Sequence, residues 1–157
     1  MIGRRHAVVL GLWLAVLGAC SRATPPDESA LRARADDKLT LEQIVAIDVR
    51  ASMAMRDADT ATGNGDAGAA ADVVATRARP AVEEALRVAE GAPLKTDWGR
   101  TKRDELLGIL RDRKAEMPKY EAAVKEGEPE RMLAAIEAQA AIERRALATV
   151  AAVRAGR

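Results

Sequence analysis

Leu106, Leu110, Met117, Tyr120 and Val124 follow one another at three-, four- and seven-residue steps. That spacing puts them on one face of a helix, predicted from about Asp97 to Glu126. Leu133, Ile136, Ala140, Leu147 and Val150 form a second such face and predict a helix from Pro129 to about Arg154. Upstream, Leu41, Ile44, Val45, Ile47, Val49 and Met53 cover a wide apolar face continued by Ala51 and Ala54, with Asp48 at its edge. They predict a helix from about Leu41 to Asp57. An Ala-rich stretch from about Ala69 to Glu90 supplies a weaker segment between these.

The punctuation fits this reading. Thr40-Leu41-Glu42-Gln43 has the form of a capping box, with Thr40 at the cap and Gln43 reaching back. Thr60 to Gly68 holds three glycines and reads as a flexible loop. Gly91-Ala92-Pro93 stops the Ala-rich segment, Gly127 ends the next helix, and Pro129 suits the first position of the last. Pro80 should kink or restart its helix, and Pro118 should interrupt the one that contains it. Two of the three connections are short, which implies antiparallel neighbours and an all-α, up-down-up-down bundle of four helices. A three-helix bundle with the second segment lying loosely is the alternative. The bundle domain spans residues 38–157 behind a tether of residues 20–37, and at their junction Glu28 to Lys38 reads equally as marginal helix or as tether.

Composition narrows the class further. Ala occurs 35 times in 157 residues, aromatics make up 2% and Phe is absent, which rules out most all-β folds. Charged residues are 31%, with 25 basic against 24 acidic, so no gross charge points to nucleic acid. One Cys cannot form an internal disulfide, and one His cannot form a His-based metal cluster.

The first twenty residues carry the strongest signal. Arg4 and Arg5 form a positive n-region, and Ala7 to Val16 is an apolar run too short for a membrane span of about 20 residues. Leu17-Gly18-Ala19-Cys20 follows, and it resembles the lipobox of bacterial lipoprotein precursors. The resemblance implies a signal peptide of residues 1–19, cleavage between Ala19 and Cys20, and acyl chains on Cys20, the only cofactor-like group expected. Multiple acyl chains make membrane attachment stable. Ser21, rather than Asp, follows the Cys; by resemblance to the enterobacterial sorting rule this favours the periplasmic face of the outer membrane over the inner membrane. The processed chain would lack His6 and hold 23 basic and 24 acidic residues, a net charge of −1.

Without histidine, haem attachment, E-x-x-H di-iron sites, zinc and His-based nucleophiles are not expected, and no metal site or catalytic residue is assigned. Thr62 to Asp66 lacks the Lys and preceding strand of a phosphate loop. Glu83 with Glu84, and Glu128 with Glu130, read as solvated helix surface. Leu39-Thr40-x-x-Gln43 resembles the LTxxQ motif of small periplasmic helical proteins of the Spy/CpxP kind, which usually carry two copies; this chain has one. Trp98 and Tyr120 read as core or interface-edge residues.

An up-down bundle gathers Lys95, Arg100, Lys102, Arg103, Arg144, Arg145, Arg154 and Arg157 toward the tether-side pole, and Glu121, Glu126, Glu128 and Glu130 toward the other. Arg100, Lys102, Arg103, Arg144 and Arg145 are thus candidate contacts to anionic lipid or another polyanion. The function expected is a membrane-anchored periplasmic module for binding or structure, with a protein partner in the envelope. The alternatives are a chaperone, inhibitor or immunity protein that captures another protein on a helical face, or a hydrolase with an unrecognised carboxylate site. The oligomeric state is left open.

Overall fold

The computed structural model describes residues 27–157, and these form an all-α helical bundle. Helix α1 is Glu28–Gly63, α2 is Ala67–Val73, α3 is Arg79–Glu90, α4 is Asp97–Glu126 and α5 is Pro129–Ala155. A π-helical turn, Val74–Ala78, joins α2 to α3, so the two make one broken rod and the chain runs up-down-up-down through four rods. Each rod packs on the next, α1 also touches α4 and α5, and the α1–α5 seam is thinner than the α4–α5 seam.

Helix α1 is longer than its apolar pattern predicts. Its N-cap is Asp27, whose carboxylate accepts from the Ser29 N–H at 2.9 Å. Glu28 to Lys38, which the sequence leaves open between marginal helix and tether, is therefore helix, and the tether of residues 20–37 gives up its last ten residues to α1. Thr40 is no cap: it lies mid-helix, with Oγ1 donating to the Asp36 carbonyl at 3.1 Å. A capping box and an internal Thr look alike in sequence when the preceding charged stretch is itself helical. At the other end α1 runs through Gly63, and the loop shrinks to residues 64–66, with Gly65 at φ +78°. Tyr120 holds this end, its hydroxyl lying 3.2 Å from Thr62 Oγ1.

The two prolines act differently. Pro80 follows the π-helical turn, in which the Arg79 N–H reaches the Val74 carbonyl, and it sits in the first turn of α3, where its missing N–H costs little, so the rod continues. Pro118 does not interrupt α4. Its ring faces solvent, where water can take the bond it denies the Lys114 carbonyl. The Pro129 start of α5 and the left-handed Gly127 cap of α4 (φ +69°) stand where the sequence puts them.

The core is aliphatic and small. Leu41, Ile44, Val82, Leu106, Leu110, Met117 and Tyr120 are enclosed, with Ala51, Ala58, Ala78, Ala85 and Ala89 filling the close approaches. Val49 and Met53 of the predicted α1 face are exposed. The predicted α5 face is wrong in rotation: Leu133, Ile136 and Leu147 face outward, while Ala135, Gln139, Ile142, Ala146 and Val153 face inward. The partner helices decide this. Turning Leu133 and Leu147 inward would bring Glu137 and Arg144 toward the interior and break the Arg145–Asp112 pair at 2.7 Å.

Truncation separates these two classes of residue. Leu110→Ala should cost about 2–5 kcal/mol by urea unfolding, as expected for an enclosed leucine. Ile136→Ala, at a position 39% exposed, should cost less than about 1 kcal/mol. Equal losses would contradict the rotation of α5.

Candidate functional site

A charged cluster sits where α1, α4 and α5 meet. Arg113 of α4 is 1% exposed, Asp48 of α1 is 3% exposed, and Gln139 of α5 is buried beside them. Arg113 Nε stands 3.1 Å from Asp48 Oδ1, off the hydrogen-bond line, and Nη2 lies 3.4 Å from Asp48 Oδ2. Nη2 also donates to Glu143 Oε2 at 3.3 Å. Glu143 in turn accepts from Ser52 Oγ at 2.9 Å and from Arg56 Nη2 at 3.0 Å. One guanidinium thus links three helices.

Burial pushes the Asp48 carboxyl up from its ordinary value, against the opposing pull of Arg113. For Glu143 burial acts in the same sense, but the Ser52 hydroxyl, Arg113 and Arg56 outweigh it and the net shift is downward. Beside the cluster a cleft of about 140 Å³ is lined by Met55, Asp59, Ile136, Gln139 and Ala140 among others. Gln139 Oε1 and Nε2 and Asp59 Oδ1 find no protein partner there. A polar cleft of this size suits ordered water, which would satisfy them. Both carboxylates of the cluster are spent on arginine, which leaves no unengaged pair facing the cleft for acid–base work.

A second construction closes the pole where α1 and α4 begin. Asp37, 1% exposed, accepts from the Lys95 N–H at 2.8 Å, the Thr96 N–H at 2.8 Å and Thr96 Oγ1 at 2.6 Å. Thr96 Oγ1 itself accepts from the Gly99 N–H at 2.9 Å, so Asp37 and the N-cap of α4 form one unit. Only glycine fits at 99, because a Cβ there would collide with the Asp37 carboxylate. Burial acts to raise the Asp37 pKa, yet the Thr96 hydroxyl and the two backbone N–H groups dominate and lower it. Nearby, the Arg34 guanidinium stacks 4.6 Å over the Trp98 ring and donates to the Gly156 carbonyl at 2.6 Å, while Trp98 Nε1 donates to the Arg157 carbonyl at 2.8 Å. Trp98 is the interface-edge residue its position suggests. Tyr120 is a core residue, and burial drives its hydroxyl pKa well above the ordinary range.

The candidate lipid-contact residues are not a free basic pole. Arg100 pairs with Asp97 at 2.6 Å, Lys102 with Glu105 at 2.9 Å and Arg103 with Asp104 at 2.9 Å. Arg144 and Arg145 lie mid-bundle: Arg145 pairs with Asp112, about halfway along α4, and Arg144 is the next residue on α5. Helix rise explains the difference, since ten residues from the end of α5 amount to about 15 Å. At the other pole Glu121 pairs with Arg79, and Glu126 and Glu128 both pair with Arg131. Ala19 and Cys20 lie outside the described residues, as does the segment from Ser21 to Pro26.

Sequence reasoning missed Arg113, Gln139 and Asp37. Asp48 at the edge of an apolar face was the one visible signal. A charge so placed asks for an opposite charge on a neighbouring helix. Arg113 offered no such hint, being one of three basic residues in Arg111 to Lys114.

Among the described residues no three or more metal-ligating side chains converge, and no helix is long and apolar enough to cross a membrane. No protein-family model matches the sequence, and no curated protein or solved structure matches it significantly.

Removing one member of the buried pair should cost more than removing both. Arg113→Met leaves Asp48 enclosed without a counter-charge and should lose about 3–5 kcal/mol, read from urea midpoints. Adding Asp48→Leu should recover most of that loss. A single variant within about 1 kcal/mol of wild type would show the pair to be inert.

Asp37 sets a pH dependence of defined sign. Its folded pKa is lowered, so its contribution is complete above the unfolded value near 4 and fades as pH falls through the folded one. Asp48 works oppositely, its raised pKa making stability fall as pH rises across its own window. Between pH 5 and 2.5 thermal stability of wild type should therefore drop more steeply than that of Asp37→Asn. Parallel curves would remove Asp37 from the acid limb.

Proposed function

We propose that this chain is a lipid-anchored protein of the bacterial envelope, held by acyl chains on Cys20 at the periplasmic face of the outer membrane. Its bundle serves there as a binding or structural module. The observation that carries the reading is Leu17-Gly18-Ala19-Cys20 behind a basic n-region and a short apolar run. The position of α1 supports it. The helix starts at Glu28, capped by Asp27, seven residues beyond Cys20. Seven residues span at most about 25 Å, so the start of α1 stays close to the lipid. The Arg34–Trp98–Arg157 assembly and Asp37 then brace the membrane-proximal end.

A second reading, capture of another protein on a helical face, is favoured by Leu133, Ile136 and Leu147, which α5 exposes to solvent. It is compatible with the first, because an anchored module is the natural carrier of such a face. No observation favours a hydrolase, since Asp48 and Glu143 are engaged by Arg113.

Metabolic labelling with an alkyne fatty acid tests the anchor. The wild-type chain should take up label and fractionate with outer membrane, while Cys20→Ala should be unlabelled and retain its signal peptide. Equal labelling of the two would refute the reading.

A further inference from the structure

Helix α5 carries two parallel rows of residues at heptad spacing, and the bundle buries the weaker one. The inward row is Ala135, Gln139, Ile142, Ala146 and Val153. The outward row holds Leu133, Ala140 and Leu147, seven residues apart, with Ile136 alongside; Leu133 and Leu147 are 59% and 58% exposed. Large aliphatics on the outside and alanines within are the reverse of what a solitary bundle favours.

The charges beside the outward row are placed symmetrically. Arg131, Glu143 and Arg145 of α5 have ion-pair partners within the chain, whereas among the described residues Glu137 and Arg144, which flank the outward row, have none. Neither has a local one available. The neighbours of Glu137 three and four residues away are Leu133, Ala134, Ala140 and Ala141, and those of Arg144 are Ala140, Ala141, Leu147 and Ala148. These two opposite charges are centred between Ala140 and Ala141, and Leu133 and Leu147 are centred on Ala140 itself.

That symmetry describes an isologous surface. A twofold axis passing beside Ala140 and Ala141 lays α5 against its copy in antiparallel fashion. Leu133 then meets the partner's Leu147, Glu137 meets the partner's Arg144, and each contact occurs twice. The alanines at the axis permit the helices to approach closely. A parallel pairing would set Glu137 against its own copy and Arg144 against its own copy, and a flanking charge pattern of this kind selects orientation. A bilayer surface is a poorer match, because anionic headgroups would meet Glu137 as readily as Arg144.

We infer that α5 is the interface of an antiparallel homodimer, with a second copy of this chain covering Leu133, Ile136 and Leu147. The inference holds whether or not Cys20 is acylated, and its test is independent of the labelling experiment. Sedimentation velocity of the full chain in a mild detergent should give a dimer at micromolar concentration. Arg144→Glu turns both interfacial pairs into repulsions and should weaken the dimer at least about tenfold. Adding Glu137→Arg restores opposite charges and should restore the dimer. All these positions are exposed, so circular dichroism should be unchanged throughout.

Orientation is read by oxidative cross-linking in a Cys20→Ser background. Ala140→Cys should cross-link to its copy, and Leu133→Cys should not, because antiparallel packing places the two copies of 133 about 21 Å apart. A monomer at high concentration, a dimer insensitive to Arg144→Glu, or cross-linking at Leu133→Cys would each overturn the inference. So would a stripe covered by another protein or by lipid while the chain stays monomeric.

Discussion

The guanidinium of Arg113 is the fixed point of this bundle. It is almost fully enclosed, and a charge in that position must face opposite charge on every side that lacks water. Asp48 comes from α1 and Glu143 from α5, so one side chain of α4 sets the rotation of both neighbours. A shift of either helix by one residue turns its carboxylate about 100° away and leaves Arg113 unpaired. Hydrophobicity alone does not impose this. By apolar content, the outward row of α5 would have made the better core.

Such a fixed point matters more here than in a core rich in large side chains. Alanine offers roughly one methyl group of burial, on the order of 0.8 kcal/mol, and alanine faces slide past each other with little steric preference. The second rod is the extreme case, burying Ala70, Ala78, Ala81, Ala85 and Ala89 beside only Val74, Val82 and Leu86. Register is therefore set by a few specific contacts. Asp37 ties α1 to the start of α4, Tyr120 ties α4 to the end of α1, and Arg113 ties the middle. Between these three levels the small side chains pack wherever the rods already are.

The same division explains what could be read in the sequence. The class, the number of rods and the turn between α4 and α5 were legible, because Gly127 and Pro129 act locally. The extent of α1 was not. Its first turns are charged and nearly featureless, and they become helix through Asp27 and through Asp37, whose partners lie about 58 residues away in the chain. The continuity of the second rod past Pro80 depended on a π-helical turn, which has no sequence mark here. The α5 face was misread because two heptad rows compete on one helix and the choice belongs to Arg113 and Asp112. Of the basic residues expected at one pole, the sequence misplaced Arg144 and Arg145 and could not supply pairing, and Asp97, Glu105 and Asp104 neutralise the three nearest the start of α4.

The proposed anchor and the inferred self-association, taken together, constrain how the molecule would meet a membrane. The first turn of α1 lies on the same side of the bundle as the end of α5, because Arg34 reaches the Gly156 carbonyl. Measured along the helix axes from Ala140–Ala141, the level of Gly156 is about 23 Å away, and Asp27 lies about 10 Å further out. In an antiparallel pair the two Asp27 residues thus stand on the order of 65 Å apart at opposite ends. On the proposed anchoring, each would be joined to an acylated Cys20 by a chain that spans at most about 25 Å. An upright pair cannot place both sets of acyl chains in one bilayer, whereas a pair lying along the surface can. With the proposed anchor in place, self-pairing through α5 would turn a post standing on its pole into a bar laid on the membrane, and the faces left for a partner would be the flanks of α1 to α4 rather than the bundle's end.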